Sequence, residues 1–366
     1  MIALLTLAIW LYLFFGHGAF WKSMPELAPA TPRDAPDVDI IIPARDEVVT
    51  IRPVIASLLT QKYAGNFRVI LVDDNSTDGT ALAAGADPRL TVISGAPKPE
   101  GWSGKLFALS QGVAKSSAPL ILFTDADILH DPAHLATLVA RLESPRVDAV
   151  SEMVRLNCTS VAEKLLIPAF VYFFQMLYPF AKVNDPLSGT AAAAGGTILV
   201  RRDALERIGG LAAIKSALID DVALATKLKA QGPIFLGHSR LAASIRPYPG
   251  YADIWRMIAR TASTQLRHSP LLLAATILGL AVVWLVPPYL VVFGHGWAFF
   301  AGLVASVLAI ISFFPTLARY GLPKFYAAAL PAVALFYMAA TIDSAVSHWR
   351  GSGASWKSRA YGPNAS

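Results

Sequence analysis

Two aspartates, Asp125 and Asp127, stand directly behind the apolar run LILF at 120–123. If this run is a strand that continues through them, residues i and i+2 share a face, and both carboxylates reach one hard cation. Mg2+ or Mn2+ held by one or two carboxylates completes its octahedron with water and phosphate oxygens. Asp125 and Asp127 are therefore candidate metal ligands. Asp131, next to Pro132, is expected to cap a following helix instead. An EF-hand is excluded, because its glycine and terminal glutamate are missing.

Three further stretches carry chemistry-bearing residues. VDDNSTDGT at 72–80 puts Asp73 and Asp74 at the end of another apolar run; carboxylates there can accept hydrogen bonds from a base or ribose, or simply build a turn. GWSGKL at 101–106 fails the Walker A pattern, with Pro99 at the first glycine position and Leu106 after the lysine. Lys105 at a helix start can still offer a point charge to a diphosphate. IDDVALATKLKAQG at 219–232 opens an amphipathic helix with Asp220 and Asp221. Capping accounts for one of them and leaves the other as a general base.

The elements that must position these groups alternate. VDIII (38–42), RVILVDD (68–74), LTVIS (90–94) and LILFTDAD (120–127) read as strands, with helices expected at 48–61, at TALAAGA and at GKLFALSQGVAKS. Such alternation argues for an α/β fold with a mainly parallel sheet. Parallel sheets carry their chemistry at the carboxyl ends of the strands. That rule aligns Pro43, Ala44, Arg45 and Glu47 with Asp73–Asp74 and Asp125–Asp127 along one edge. A further strand is expected at GGTILV (195–200), followed by a helix with a D-x-x-E box at Asp203 and Glu206.

The chain has 366 residues, of which 55% are hydrophobic and 15% charged. A mean hydropathy of +0.50 is high for a soluble protein. Residues 1–22 read as an N-terminal transmembrane anchor rather than a cleaved signal peptide, lacking a basic start and a small-residue cleavage site. Residues 23–37 read as a Pro-rich linker and 38–268 as a soluble domain of ordinary globular composition, with an apolar interfacial helix at 165–181. Residues 270–348 hold about three transmembrane helices, near 270–293, 297–316 and 325–347, before a polar tail at 349–366. The basic residues of the 319–324 loop and of the tail both point to the cytoplasm, which three spans cannot satisfy together. The single cysteine, Cys158, excludes an internal disulfide. A net charge of +6 without a basic run interleaved with aromatics argues for anionic lipid or a phosphorylated substrate and against nucleic acid.

Taken in order, IIIPARDE, VDDNSTDGT, GKLFAL, DAD, GGTILVRRDALERIGG and the DD at 220–221 resemble an inverting, family-2-type glycosyltransferase. The resemblance covers about residues 38–268 and implies a GT-A, Rossmann-like domain that binds a nucleotide-sugar. It implies nucleotide contacts from Pro43, Ala44, Arg45, Glu47, Asp73, Asp74, Lys105 and Asp125, and a Mg2+ or Mn2+ site on Asp125 and Asp127. Asp221, or Asp220, would be the base, and Gly195, Gly196, Arg267 and His268 would line the acceptor and diphosphate side. With its flanking apolar segments the chain further resembles the membrane glycosyltransferases associated with hopanoid biosynthesis. STQLRHSP (263–270) departs from the Q-x-x-R-W of processive members, putting Thr264 for glutamine and His268 for tryptophan. Transfer of one sugar to a lipid is thus favoured over polymerisation. The resemblance implies a multi-pass protein of the inner (plasma) membrane with a cytoplasmic catalytic domain, using a UDP-sugar donor. Alternative acceptors are polyprenyl phosphate and diacylglycerol. A transporter or scaffold with a nucleotide-binding domain is disfavoured, since 271–293 contains no ionisable group.

Overall fold

The computed structural model describes residues 1–143, 145–350, 355–356 and 359–360. Its sheet contains β1 (Glu26–Leu27), β2 (Val38–Ala44), β3 (Phe67–Asp73), β4 (Leu90–Ser94), β5 (Leu120–Thr124), β6 (Ile128–His130), β7 (Ala149–Arg155), β8 (Thr197–Arg201) and β9 (Ile234–Ser244). The order is β1-β9-β7-β8-β5-β2-β3-β4, with β6 paired to β9. The β4-β3-β2-β5 half is parallel, whereas β8 runs antiparallel to both β5 and β7. Every residue of β2 and β5 is buried, as expected for interior strands covered on both faces.

This topology assembles the edge expected from the sequence. Ala44 pairs with Asp73, and Thr124 at the end of β5 pairs with Thr197 at the start of β8. The antiparallel β8 therefore brings Gly195 and Gly196 beside the carboxyl end of β5. The strand-face argument for Asp125 and Asp127 fails, however. β5 ends at Thr124, and the Ile128 N–H closes a turn on the Asp125 carbonyl at 3.3 Å. The two side chains accordingly take different neighbours.

The expected linker is not wholly free. Within 23–37, Glu26 and Leu27 pair in parallel with His238 and Ser239 of β9. The expected D-x-x-E box does not form, since Asp203 pairs with Arg207 instead. Asp131 does cap, accepting the Ala133 N–H at 2.9 Å ahead of the His134–Glu143 helix.

Three helical stretches, Pro270–Phe293, Trp297–Arg319 and Lys324–Trp349, are long and apolar enough to cross a membrane. A shorter apolar helix, Ile2–Gly16, joins them: Thr6 Oγ1 donates to the Val282 carbonyl and Trp10 Nε1 to that of Val283, both at 2.8 Å. The Val161–Leu177 helix, expected on a bilayer surface, buries Leu166, Ile167, Val171 and Tyr172 in a core that it shares with the apolar helices. Its Tyr172 hydroxyl bonds Ser312 Oγ at 2.6 Å, and the Tyr337 hydroxyl donates to the Leu166 carbonyl at 3.0 Å. One continuous core thus runs from Ile41 and Ile121 of the sheet to Phe313 and Tyr337 of the apolar helices. Asp343, an acid within the last apolar helix, accepts from Trp255 Nε1 at 2.7 Å. The tail expected at 349–366 falls largely outside the described residues; within it the Ser355–Trp356 backbone pairs antiparallel with Arg359–Ala360.

Candidate active site

Lys105 is the hub of the site. Ser103 caps the Gly104–Lys115 helix by accepting the Leu106 N–H, which aims the first helical turn at the strand ends. The Lys105 ammonium lies 2.9 Å from Asp125 Oδ1 and 3.2 Å from Asp220 Oδ2. Burial works against its charge, but Asp125 and Asp220 outweigh that and hold it above the ordinary lysine value.

Asp221 follows in the first turn of the Asp220–Lys229 helix. Its Oδ2 accepts the Gly195 N–H at 2.8 Å and its Oδ1 accepts its neighbour Val222 N–H at 2.8 Å. Gly195 lets the two approach closely: a Cβ there would lie 3.1 Å from that Oδ2, a tight contact that the carboxylate would have to yield to. Burial, then the charge of Asp220, push the Asp221 carboxyl up to about 7, against the pull of Lys105. A carboxylate that binds protons near neutrality and is aimed by two backbone donors has the properties of a general base. Pro43, Thr124, Asp125, Gly195 and both aspartates line one pocket.

Asp127 faces the other way. Its Oδ2 accepts from Arg246 Nε at 2.8 Å and Ser244 Oγ at 3.1 Å, while Arg246 Nη2 reaches Glu47 Oε1 at 2.6 Å. Arg246 and Ser244 were missed from the sequence. Their only signal is position, Ser244 at the end of β9 and Arg246 just past it, a strand that was itself not recognised. Arg45 donates to the Asp74 carbonyl at 2.6 Å and lies 3.8 Å from its carboxylate. Beside it the buried Asp73 Oδ1 has no hydrogen-bond partner, an acceptor left unsatisfied at the end of β3. Gly196 presents its carbonyl to Thr124 Oγ1 at 2.9 Å.

Arg267 and His268 are not drawn into this cluster. Both are exposed with left-handed backbone, and His268 stacks on His348 with ring centroids 3.7 Å apart. Tyr178 was not anticipated either. It accepts from Gln265 Nε2 at 2.6 Å, close enough to Asp221 for that carboxylate to help raise its hydroxyl pKa, after burial.

As hard oxygen donors Asp125 and Asp127 suit a divalent cation chemically, but they are turned to different partners, Asp125 to Lys105 and Asp127 to Arg246. Among the described residues no group of three or more carboxylate, imidazole or thiolate ligands stands together to hold a metal ion. Burial raises the Asp125 carboxyl, with Asp127 and Asp220 adding to the rise, in spite of Lys105.

Residues 39–209 match the model of glycosyl transferase family 2. An N-acetylglucosaminyltransferase of Bradyrhizobium elkanii is 32% identical over 129 residues, covering 33% of this chain and 69% of that protein. The chain belongs to glycosyl transferase family 2. The O-antigen biosynthesis protein RfbC of Myxococcus xanthus is 27% identical over 219 residues, 55% of this chain, and the match spans only 16% of RfbC. Among solved structures, the mannosyltransferase PcManGT of Pyrobaculum calidifontis, in complex with GDP-Man and Mn2+, superposes with a TM-score of 0.57 at 23% identity. That likeness covers 94% of this family 2 chain and 97% of PcManGT, and it shows that the fold is of the GT-A type.

Proposed function

We propose that this protein is a membrane-bound, inverting glycosyltransferase that moves one sugar from a nucleotide-sugar to the hydroxyl of a lipid. The observation that carries the lipid acceptor is the position of the base. Asp221 lies beside Tyr178, at the end of a helix whose Tyr172 and Phe173 pack on Phe313, Trp284 and Tyr337 of the apolar helices. An acceptor hydroxyl reaching Asp221 would thus come along a wall continuous with the membrane-crossing candidates.

In this reading Asp221 takes the proton of the acceptor hydroxyl as that oxygen attacks the anomeric carbon, and Asp220 with Lys105 sets its charge. Lys105, at the diphosphate end, stabilises the negative charge of the leaving nucleoside diphosphate. Asp125 and Asp127 are the residues to hold Mg2+ or Mn2+, which when bound supplies further charge neutralisation there. Asp73, with its unsatisfied Oδ1, and the Pro43–Glu47 turn receive the nucleoside. UDP as the nucleotide and a hopanoid as the lipid are the finer parts of this proposal.

The full chain in nanodiscs, given Mn2+, radiolabelled UDP-N-acetylglucosamine, UDP-glucose or GDP-mannose, and total lipid extract, tests the reading. Label is expected in a singly glycosylated lipid, whose mass distinguishes a hopanoid from diacylglycerol or polyprenyl phosphate. Label passing only to soluble oligosaccharide would overturn the lipid assignment.

A further inference from the structure

Beneath the site lies a file of buried polar groups for which the proposed mechanism has no use. Thr124, His130, His134 and Glu152 are each at most 4% exposed. Glu152 Oε1 makes a short contact with His134 Nε2, and His134 Nδ1 is 3.1 Å from His130 Nδ1. His130 Nε2 is 3.2 Å from Thr124 Oγ1, which in turn lies 2.9 Å from the Gly196 carbonyl. That carbonyl also receives the Asp125 N–H at 3.3 Å, and the neighbouring Gly195 N–H holds Asp221.

Counting protons gives the file a direction. Thr124 has one hydroxyl proton, and if it goes to Gly196 then Thr124 must accept from His130 Nε2–H. A neutral His130 then accepts at Nδ1 from His134 Nδ1–H, and one more proton lies between His134 Nε2 and Glu152 Oε1. Glu152 and His134 together then carry no net charge. The reverse direction leaves a net negative charge on a fully buried pair, and takes the Thr124 proton away from Gly196. Among the described residues Glu152 has no lysine or arginine partner, and its Oε2 has no hydrogen bond at all. An uncompensated buried charge is the costlier arrangement. Burial, with the adjacent His134, keeps the His130 pKa well below the ordinary imidazole value, as the favoured direction requires of a neutral ring.

We propose that Glu152, His134, His130 and Thr124 form a one-directional hydrogen-bond relay that fixes the Gly196 carbonyl, and through it the Asp125 turn and the Gly195 N–H that aims Asp221. They are positioning residues: Thr124 also lines the pocket, but its hydroxyl is bonded to His130 and the Gly196 carbonyl and not to Lys105, Asp220 or Asp221. The kinetic consequence rests on Asp221 being the base; the structural consequence does not.

Hydrogen–deuterium exchange on the full chain in nanodiscs reads the relay without any sugar substrate. Thr124→Val removes the hydroxyl at constant shape, Thr124→Ser keeps it, and Glu152→Gln keeps a donor, because its amide N–H can take the place of the shared proton. Exchange at Gly195 is expected to quicken roughly tenfold in Thr124→Val, and to stay within about twofold of the parent in the other two. In the transfer assay Thr124→Val should lower kcat about tenfold with donor KM within about twofold, and Thr124→Ser should restore it. Unchanged exchange in Thr124→Val, equal effects of Val and Ser, or faster exchange spread evenly over the sheet would each overturn the relay. If the parent protein transfers no sugar, the proposed function fails while the exchange result still decides this inference.

Discussion

Asp221 combines a raised pKa with two backbone donors, and this pairing sets opposite demands on activity and stability. Its carboxyl is ordinarily near 3.8 and is pushed to about 7 by burial and Asp220. A carboxyl raised on folding favours the fold most below its unfolded value, and that contribution is lost as pH rises through about 7. Asp221→Asn should therefore unfold at a higher temperature than the parent at about pH 8, with the difference reversed or gone at about pH 5. The same variant should lose transfer by about 10²- to 10⁴-fold, while parent activity rises with pH through the same region. Thermal melts and a pH–rate profile check both halves, and a variant with near-parent turnover would remove Asp221 from the base role. Arg246 makes a different demand, since it neutralises both Asp127 and Glu47, each only 9% exposed. Arg246→Gln should cost about 2 kcal/mol, less than the loss of a fully buried pair because the guanidinium is 31% exposed. Mn2+ should then raise the melting temperature more in Arg246→Gln than in the parent, because it can supply the missing positive charge. An equal rise in both proteins would show that Asp127 and Arg246 do not share a cation-binding role.

At the scale of elements, one buried carboxylate joins the Val161–Leu177 helix to the Arg246 segment. Glu163 Oε2 accepts the N–H groups of Thr159 and Ser160, both at 2.8 Å, while Oε1 accepts the Tyr248 N–H at 2.7 Å. Burial alone would raise its pKa, but the Ser160, Tyr248 and Thr159 donors pull it down to about 2. The stability it contributes is present above its unfolded value of 4.5 and is lost as pH falls toward about 2. Glu163→Gln, which turns one acceptor into a donor facing N–H groups, should destabilise by about 1–3 kcal/mol at neutral pH. The gap should narrow below about pH 4, where the parent loses the same charge; a gap independent of pH would mean that packing, and not the carboxylate, holds the junction. Tyr248 and Arg246 lay outside every sequence motif because β9, which delivers them, is interrupted by Gly237, His238, Ser239 and Arg240. His238 is tolerated there only through its bond to Gln175 at 3.0 Å, a long-range satisfaction that no local pattern reveals. β7 hid its period in the same way, with Ser151 and Glu152 facing buried partners. By contrast β2, β3 and β5 are buried nearly throughout, so their unbroken apolar runs announced both the strands and the acids at their ends. The Asp125–Asp127 turn was legible as a location but not as a geometry, because the sequence does not mark where pairing stops.

For the whole molecule, the sheet and the apolar helices share one core, and this constrains how the chain can enter a bilayer. Arg319, at the carboxyl end of the Trp297–Arg319 helix, pairs with Glu26 at 3.4 Å and donates to the Ser239 carbonyl at 2.5 Å. That end is therefore anchored to the side of the sheet that carries β1 and β9. If the catalytic domain is cytoplasmic, the loop after Arg319 is cytoplasmic as well, in agreement with its basic residues. A spanning helix of this length would then put the turn before Trp297 on the far side. With Cys158 replaced by serine, a cysteine at Gly321 should react with a membrane-impermeant maleimide in inside-out vesicles, and one at His295 should react only in right-side-out spheroplasts. The end of the last apolar helix is a sterner case, because Asp343 and Ser344 bond Trp255 and the Ser263 N–H of the Tyr251–Gln265 helix. Those contacts hold the end of the last helix against an element that leads out of the sheet domain, even though two more crossings after His295 would carry it away again. A cysteine at Trp349 labelled from the cytoplasmic side together with Gly321 would mean that Lys324–Trp349 enters and leaves by the same face, packed along the domain. Labelling from the opposite side would mean that it crosses, and that the Tyr251–Gln265 helix is itself drawn into the bilayer beside it.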